Sequence, residues 1–319
     1  MAYDSAFIEG YQVPVPWLTA DQTASIILDY THHSILLNPT RKFAVYSASN
    51  IDGLTWQPIE RTGDFVKDDQ RTQACYQWGQ ELYRQMGIEG PKGASVFDQG
   101  HLTAFQEVLW GNYAESRLAG QDTFFYTNCV PQHSLLNRGA WRSLEQYIIR
   151  KGGKASNSRL CVLTGPVLQP NDPWLTETIN GERVCVPCSF WKVIYYLYQD
   201  QLNAVGFMMS HKHLLLEADT ITFDQSKVRM RGPDIFMLFP KASTYQVNIE
   251  LIQEIAGLQF AAPEAIYPYT SKESTEVIYK RIEVGDADNK VAHSRGSNNI
   301  ADADGFDPAA PFDLEGIIL

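Results

Sequence analysis

Apolar residues recur along the chain with two spacings, and each spacing predicts one kind of element. Apolar positions three and four residues apart are typical of amphipathic helices. This spacing predicts helices over residues 70–87, 105–118, 135–150 and 248–256, the first of them ending at Gly87. Short stretches rich in β-branched and aromatic residues are typical of strands. They predict strands over residues 42–51, 123–126, 160–164, 183–188, 191–198 and 202–209, and a short strand or turn over 97–103.

The order of these elements predicts the fold class. Asp200 and Gln201 are predicted to form the turn that joins the last two strands into an antiparallel hairpin. Four of the strands follow one another without an intervening helix, which favours an α+β fold. We therefore expect a mostly antiparallel central sheet with flanking helices on both faces.

The composition of the chain changes near residue 270. Residues 1–270 hold the predicted elements and are expected to form one domain, which begins with an extended, proline-containing arm over 1–22. Residues 271–319 hold few large apolar side chains before the last four, and their Asp-Ala-Asp triplets lack the full pattern of a calcium loop. This segment is predicted to be an acidic, flexible C-terminal tail or an arm that wraps the domain.

The charge of the chain limits the partners that can be expected. The 319 residues carry a formal net charge of −11, with 20% charged and 44% hydrophobic residues, which is ordinary for a soluble globular protein. The segment 271–319 has five basic and ten acidic residues, and the other 270 residues have 21 basic and 27 acidic. An acidic surface disfavours broad binding to nucleic acid, because phosphate contacts require basic side chains. A local basic cleft stays compatible with these numbers.

The cysteines and the N-terminus bear on the compartment. Five cysteines in a long chain do not form the disulfide framework of a small secreted protein. Cys185 and Cys188 form a CxxC within a predicted strand, where buried cysteines are favoured over a zinc or redox site. The chain has no signal-peptide pattern and no run of 18 apolar residues, so we expect a cytoplasmic protein without a membrane partner. Export by a dedicated machine stays compatible with that expectation.

The candidate chemistry begins with Asp98-Gln99-Gly100-His101. A neutral imidazole held by a tight turn is a natural general base near pH 7, although the tetrapeptide alone favours a hydrogen-bonded surface histidine. Asn137 follows at the start of a predicted helix, and Glu145 lies eight residues later, so both can face one side. Amide and carboxylate oxygens are hard donors suited to Mg²⁺. The combination favours phosphodiester hydrolysis, in which a base activates water and a metal stabilises the leaving 3′-oxygen.

Several sequence blocks in this region resemble the motifs of one family. D-Q-G-H at 98–101 is followed by N-C-V-P-Q at 128–132, L-N-R-G-A-W at 136–141 and L-E at 144–145. In order and spacing, these blocks resemble the motifs of the DNA/RNA non-specific endonucleases, and the likeness covers about residues 25–260. Two later blocks, L-T-G-P at 163–166 and F-W-K-V at 190–193, resemble two further strands of that family.

The resemblance implies a ββα-metal finger with a role for each of five residues. It makes His101 the general base and Asn137 the direct ligand of Mg²⁺, with Mn²⁺ as a second candidate ion. It makes Glu145 a ligand through a metal-bound water and Asn128 a residue that orients the site. It sets Arg61 on the scissile phosphate, where a guanidinium matches phosphate oxygens.

The resemblance also implies a reaction and a set of partners. We expect endonucleolytic hydrolysis of DNA and RNA, leaving 5′-phosphate and 3′-hydroxyl ends, with little sequence preference because contacts are made to the backbone. Homodimerisation and binding of an inhibitor or immunity protein are compatible with the family.

One position departs from the family pattern. Gln99 stands where the family usually has Arg, which keeps hydrogen bonding and loses a positive charge. This change bears on rate and affinity more than on mechanism. Arg138, directly after Asn137, is the candidate to supply the missing charge, so Gln99 and Arg138 are both predicted to line the substrate site.

Two alternative functions remain open at the level of sequence. The first is a catalytically weak nucleic-acid-binding or regulatory module on the same fold, which the change at Gln99 would allow. The second is a toxin or interaction component in which residues 271–319 recognise a partner.

Two histidine pairs are given structural roles: His32 and His33 are predicted to be packed or capping residues, and His211 and His213 to be surface residues.

Overall fold

The structure is a computed structural model that describes most of the chain. The described residues are 1–19, 25–85, 96–150, 158–223, 243–267, 279–284 and 314–315. Within them, no helix is long and apolar enough to span a membrane. None of the five cysteines, all of which lie in the described residues, forms a disulfide bond.

The described residues form 16 strands, most of which belong to one sheet. In chain order they are β1 (Trp17–Leu18), β2 (Ile26–Tyr30), β3 (His33–Asn38), β4 (Phe43–Asp52), β5 (Phe97–His101), β6 (Cys129–His133), β7 (Arg159–Pro166), β8 (Trp174–Ile179), β9 (Glu182–Cys185), β10 (Ser189–Tyr198), β11 (Gln201–Ser210), β12 (Ile221–Thr222), β13 (Thr244–Val247), β14 (Leu258–Gln259), β15 (Tyr279–Val284) and β16 (Leu314–Glu315).

Helices are fewer than strands in the described residues. They are α1 (Gln80–Gln85), α2 (Tyr113–Asp122), α3 (Ser134–Leu136), α4 (Arg142–Tyr147), α5 (Lys212–Glu217) and α6 (Ile249–Ala256). Tighter 3-10 turns are formed by Ala74–Tyr76, Phe105–Val108 and Tyr126–Asn128, and a wider π-helical turn by Asn137–Trp141.

The central sheet confirms the α+β prediction. Its strand order is β16-β15-β13-β11-β10-β7-β4-β3-β2, and every neighbouring pair is antiparallel. All ten residues of β4 are buried, because strands cover both of its edges and side chains cover both of its faces. Three smaller sheets, β5-β6, β12-β8-β9 and β1-β14, lie outside this order.

Two hydrophobic cores cover the two faces of the sheet, as alternation along β10 demonstrates. Phe190 and Ile194 contact the core that contains Trp141 and Leu144 from the α4 region. The side chains between them along the strand, such as Trp191, belong to the second core, which contains α6 and the N-terminal arm. The arm is packed against the sheet, since Ile8 and Val13 are fully buried.

Most predicted elements are confirmed. The strands predicted over 42–51, 97–103, 160–164, 183–188, 191–198 and 202–209, and the helices over 135–150 and 248–256, are present with shifted ends. The hairpin between β10 and β11 is also present, but its turn lies one residue earlier, at Gln199 and Asp200, with φ of 50° and 59°. Two successive positive φ values match the right-handed twist of a two-residue hairpin.

The predicted helix over 70–87 is wrong in its first half. A 3-10 turn at Ala74–Tyr76 and the short α1 replace it. The Asp68 carboxylate accepts hydrogen bonds from the backbone N–H groups of Gln70 and Arg71, at 3.2 and 3.1 Å. These bonds hold the chain in a turn where helical spacing alone predicts a helix. The end predicted at Gly87 lies outside the described residues.

The predicted helix over 105–118 and the strand over 123–126 are also wrong. The helix is divided into the turn Phe105–Val108 and α2, because Gly111 has a φ of +88° and Asn112 caps α2 by accepting from the Glu115 N–H. Residues 123–126 form no regular strand: Phe125 makes an isolated parallel β-bridge with Val66, a 3-10 turn begins at Tyr126, and the next strand is β6.

The segment 271–319 contributes β15 and β16 to the described part of the chain. β15 pairs with β13 over four residue pairs, and β16 pairs with β15 over two. Part of this segment therefore extends the central sheet. The other residues predicted to form a flexible tail lie outside the described residues, and the domain boundary at residue 270 stays a prediction.

Candidate active site

A hairpin and the helical stretch after it carry most of the predicted site residues. β5 and β6 are antiparallel, with Asp98 opposite Gln132 and His101 opposite Cys129. The chain then runs directly into α3, the π-helical turn and α4. A Cβ at Gly100 would lie 2.3 Å from the buried Gln132 side chain, so the close pairing of the two strands requires glycine there.

His101 ends β5 in an apolar environment. Its ring lies beside those of Phe65 and Phe124, with centroid distances of 4.6 and 5.2 Å. Nε2 is buried and has no hydrogen-bond partner among the described residues. Burial holds the pKa of His101 well below its ordinary value, and the positive charge of Arg61, with that of His33 when it is protonated, lowers it further. The imidazole is therefore neutral near pH 7.

Asn137 is oriented by Asp98, which lies on the same strand as His101. The Asn137 amide Nδ2 donates to Asp98 Oδ2 at 3.0 Å, so Oδ1 is the atom available to bind a cation. Arg138 donates to both oxygens of the same carboxylate, at 2.8 and 2.6 Å, while its side chain is 68% exposed. Asp98 thus holds two neighbouring residues, as expected of a residue that fixes the turn.

Glu145 lies on α4 with one carboxylate oxygen buried. Oε1 has no hydrogen-bond partner among the described residues. Burial raises the pKa of Glu145 to about 8; the positive charge of Lys192 opposes the rise and the negative charge of Glu107 adds to it. Lys192 and Glu107 form a fully buried ion pair at 3.1 Å behind the site. A bound cation would satisfy the buried oxygen and favour the ionised carboxylate.

Asn128 shapes the site through the backbone. Its side chain is fully buried, and its amide donates to the carbonyls of Thr103 and Thr123 at 2.8 and 3.0 Å. Its Oδ1 accepts from the Thr103 N–H at 3.0 Å. These bonds tie the loop that follows His101 to the segment before β6. The contacts fit the predicted orienting role.

The two remaining residues line the edge of the site. Arg61 is exposed, and its guanidinium lies over the Phe124 ring, 5.1 Å from the centroid. Gln99 donates to Gln80 Oε1 at 2.8 Å and to the Tyr126 hydroxyl at 3.0 Å, so its amide connects the hairpin to α1. In the described residues, no group of three or more His, Cys, Asp or Glu side chains is arranged to hold a metal ion.

The comparison with protein families decides the relationship of the chain. A family described as DNA/RNA non-specific endonuclease matches residues 19–265, more than three quarters of the sequence. The chain belongs to the DNA/RNA non-specific endonuclease family. This confirms the resemblance drawn from the motif blocks.

Individual relatives of the chain match it over only part of their own length. The uncharacterized protein y4fB of Sinorhizobium fredii is 34% identical over 243 residues, which are 75% of this chain and 34% of that protein. Human mitochondrial endonuclease G is 34% identical over 106 residues, 31% of this chain and 33% of that protein. The chain therefore spans about a third of the length of these relatives.

A solved structure of the EndoG/EndoGI complex has the same fold. It covers 76% of this chain and 88% of its own, with a TM-score of 0.50 and 19% sequence identity. At that identity, the likeness concerns the fold alone.

The family motifs did not identify every residue around the site. Phe65 and Phe124 lie in segments without a motif, and only their packing against His101 reveals them. Lys192 could have been recognised from the sequence, because a lysine inside an apolar strand must either be exposed to solvent or form a bond with a buried partner. Glu107, its partner, carries no comparable signal.

Of the two predictions about the histidine pairs, one is confirmed and the other is wrong. His32 and His33 are fully buried, as predicted for packed residues. His211 is also fully buried, which contradicts the predicted surface role. Its Nδ1 accepts from the His133 N–H at 2.9 Å, and its Nε2 lies 2.9 Å from the Pro187 carbonyl. It joins the end of β6 to the segment before β10.

Proposed function

We propose that the chain is a metal-dependent endonuclease that hydrolyses phosphodiester bonds in DNA and RNA without sequence preference. The observation that carries the proposal is the ββα unit, in which one strand bears both the neutral His101 and the Asp98 that orients Asn137. Family membership supports the same activity.

The oxygen atoms near the hairpin fit a hard divalent cation. Asn137 Oδ1 is available because its amide nitrogen is engaged, and Glu145 Oε1 is buried without a partner. Amide and carboxylate oxygens suit Mg²⁺, and Mn²⁺ accepts the same donors. We propose that Asn137 binds the ion directly and that Glu145 binds through a water. When bound, the ion stabilises negative charge on the leaving 3′-oxygen.

The protein side chains supply base and charge. Neutral His101 takes a proton from water while the water oxygen bonds to phosphorus and the bond from phosphorus to the 3′-oxygen breaks. The 3′-oxygen takes a proton from a second water molecule, and the hydroxide so formed is neutralised by the proton that the imidazolium releases. Arg61 contacts a non-bridging phosphate oxygen and balances the charge that develops there. The products are a 5′-phosphate and a 3′-hydroxyl.

Weak binding to nucleic acid follows from the local charge. Gln99 is neutral, and the Arg138 charge is largely balanced by Asp98. We therefore assign Arg61 as the main cation that contacts the substrate next to His101. Gln99 is assigned as a neutral contact, and Arg138 as a contact whose charge is compensated by Asp98. Affinity should be low, since the chain is acidic overall, and should fall only gradually with salt, since few phosphates are contacted.

Cleavage of supercoiled plasmid and of ribosomal RNA tests the proposal. We expect nicking of both by wild type in Mg²⁺ and none in EDTA. His101→Ala and Asn137→Ala should each reduce the rate by at least about a hundredfold, because base and ion each contribute that much to such reactions. His213→Ala, at a half-buried histidine on α5, is the matched control. Wild type that binds but cuts neither substrate with any divalent ion would refute the proposal.

A binding module is the second candidate function, and the charge around Gln99 favours it. Without the family Arg, the fold could retain nucleic acid while catalysing slowly. Gln99→Arg discriminates the two, since it should raise the cleavage rate of an enzyme and only the affinity of a binding module.

An inhibitor protein is the partner we propose for regulation. The structurally similar EndoG was solved as a complex in a study of its inhibition. We further propose a homodimer and a cytoplasmic location, to be tested by light scattering and by fractionation of the producing cells.

A further inference from the structure

Two phenylalanine rings enclose the imidazole of His101. Phe124 meets it in a T-shaped arrangement with an interplanar angle of 83°, and Phe65 lies at 51° to it. Such aromatic contacts are directional as well as apolar. Catalytic histidines are commonly oriented by a hydrogen bond at the nitrogen that does not react. Here that nitrogen, Nε2, is buried without a partner among the described residues, so ring packing provides the orientation.

The Phe124 ring also supports the cation assigned to phosphate. The Arg61 guanidinium carbon lies 5.1 Å from the ring centroid, within the range of a cation–π interaction. One aromatic side chain thus contacts both the base and the phosphate-binding group.

The position of this ring is fixed by its surroundings. Phe124 is 4% exposed, and its carbonyl accepts from the Val66 N–H at 2.9 Å. The Val66 carbonyl accepts in turn from the Tyr126 N–H at 3.0 Å. A Cβ at Gly63 would lie 3.5 Å from the Phe124 ring, so the backbone between Arg61 and Phe65 passes directly over it.

We propose that Phe124 is a positioning residue of the hydrolysis: its ring holds the His101 imidazole and the Arg61 guanidinium in a fixed relation to each other. The inference rests on the proposed function. A base and a phosphate-binding cation must meet the same phosphate from set directions, and a displacement of about 1 Å can cost a hundredfold in rate. A ring that contacts both groups couples their positions, whereas separate supports would let each move alone.

Phe124→Leu, with Phe105→Leu as the matched control, tests the role by kinetics. Phe105 is buried in the same aromatic cluster, 5.8 Å from the Phe124 centroid. We expect Phe124→Leu to lower kcat/KM by about 10- to 100-fold, with a lower kcat from the displaced base and a higher KM from the released arginine. Phe105→Leu should lose a similar amount of thermal stability and keep both constants.

A double-mutant cycle and an NMR signal separate positioning from a general loss of packing. Arg61→Ala should cost less in the Phe124→Leu background than in wild type, because the two residues act together. The Arg61 Hε resonance should be shifted upfield by the Phe124 ring in wild type and in Phe105→Leu. In Phe124→Leu it should return to the position of an exposed arginine.

Each outcome supports or refutes a defined statement. Unchanged kcat and KM in Phe124→Leu, or an Arg61→Ala effect of the same size in both backgrounds, would refute the positioning role while leaving the nuclease function intact. An inactive wild type refutes the proposed function and this role with it. A ring-shifted Arg61 signal in that inactive protein would then assign the contact to structure alone.

Discussion

The environment of His101 determines its protonation at the scale of single residues. Its pKa is lowered by burial first and then by the charge of Arg61, with that of His33 when it is protonated. A base with a lowered pKa stays neutral to lower pH than an ordinary histidine, although it also attracts a proton less strongly. His101 is therefore unprotonated over a broader range of pH than an ordinary histidine, but it is a weaker base.

The pH dependence of cleavage should report this environment. Activity requires neutral His101 and ionised Glu145, so at Mg²⁺ concentrations that saturate the site and keep Glu145 ionised, kcat/KM should be retained below pH 6.5 and be lost only as pH falls through the lowered pKa of His101. Arg61→Gln removes one cause of the lowering and should move the acid limb to higher pH. Initial rates on a short duplex between pH 4.5 and 8 measure both. An acid limb at or above pH 6.5 in wild type would contradict the expectation.

Asp98 is expected to matter more for catalysis than its exposed partner. It orients Asn137 through one hydrogen bond and engages Arg138 through two. Residues that orient metal ligands typically contribute 10- to 100-fold to metal affinity or activity. We therefore expect Asp98→Ala to lower activity by about that factor and to raise the Mg²⁺ concentration needed.

Arg138→Ala provides the comparison for Asp98→Ala. It leaves the bond between Asn137 and Asp98 in place, and surface ion pairs are worth little, about 0–1 kcal/mol. Its cleavage rate should change by only a few fold. If Arg138→Ala were the more damaging of the two, Arg138 would contact substrate directly and the orienting role of Asp98 would be secondary.

At the scale of elements, β10 connects the central sheet to the segment that directly follows His101. Lys192 on this strand donates to the Leu102 carbonyl at 3.2 Å, to Glu107 at 3.1 Å and to Thr164 at 2.9 Å. Leu102 follows His101 directly. The buried Lys192 ammonium therefore links the backbone next to His101 to the central sheet. Because it also bonds Glu107 and Thr164, we expect these segments to move together with β10.

Removal of that ammonium should be costly to stability. Lys192→Met leaves Glu107 buried and unpaired, which typically costs about 3–5 kcal/mol of unfolding free energy. Lys67→Met, at a partly exposed pair with Glu81, should cost less than about 1 kcal/mol. Urea unfolding measures both. Combining Lys192→Met with Glu107→Leu should recover part of the loss, and no recovery would mean that the lysine acts through Leu102 and Thr164 instead.

At the scale of the whole molecule, the sheet extends beyond the residues that carry the motifs. β15, from the acidic segment after residue 270, pairs with β13 and covers what would otherwise be an exposed sheet edge. β16, from the same segment, lies against α4, the helix that carries Glu145. β15 should therefore affect mainly stability, whereas the residues after it can also affect catalysis.

Two truncations separate the contribution of β15 from that of the residues after it. Ending the chain after Tyr267 removes β15, whereas ending it after Val284 keeps it. We expect the first to lower the melting temperature, by about 2–4 °C for each kcal/mol lost, and the second to change it less. The two truncated chains should cleave at the same rate per folded molecule, because both lack β16, which lies against α4. Equal melting temperatures for the two would show that β15 adds nothing to the stability of the sheet.

The sequence by itself determined the parts of this protein that are encoded locally. Strands such as β4 and β10 follow from runs of β-forming residues, and α6 follows from its spacing and from Asn248, which caps it. The motif blocks were enough to select the family and the residues His101, Asn137 and Glu145. Hydrophobic spacing and short motifs can be recognised in the sequence because each depends only on residues a few positions apart along the chain.

Tertiary structure decided what depends on distant partners. The helix expected over 105–118 is divided at Gly111, next to Trp110, whose indole N–H donates to the Asn50 carbonyl 60 residues away. His211 is buried because residues from two other segments complete its hydrogen bonds. Phe124 meets His101 and Arg61 only in the folded chain. Such contacts join residues whose separation along the sequence carries no periodicity, so only the packed molecule specifies them.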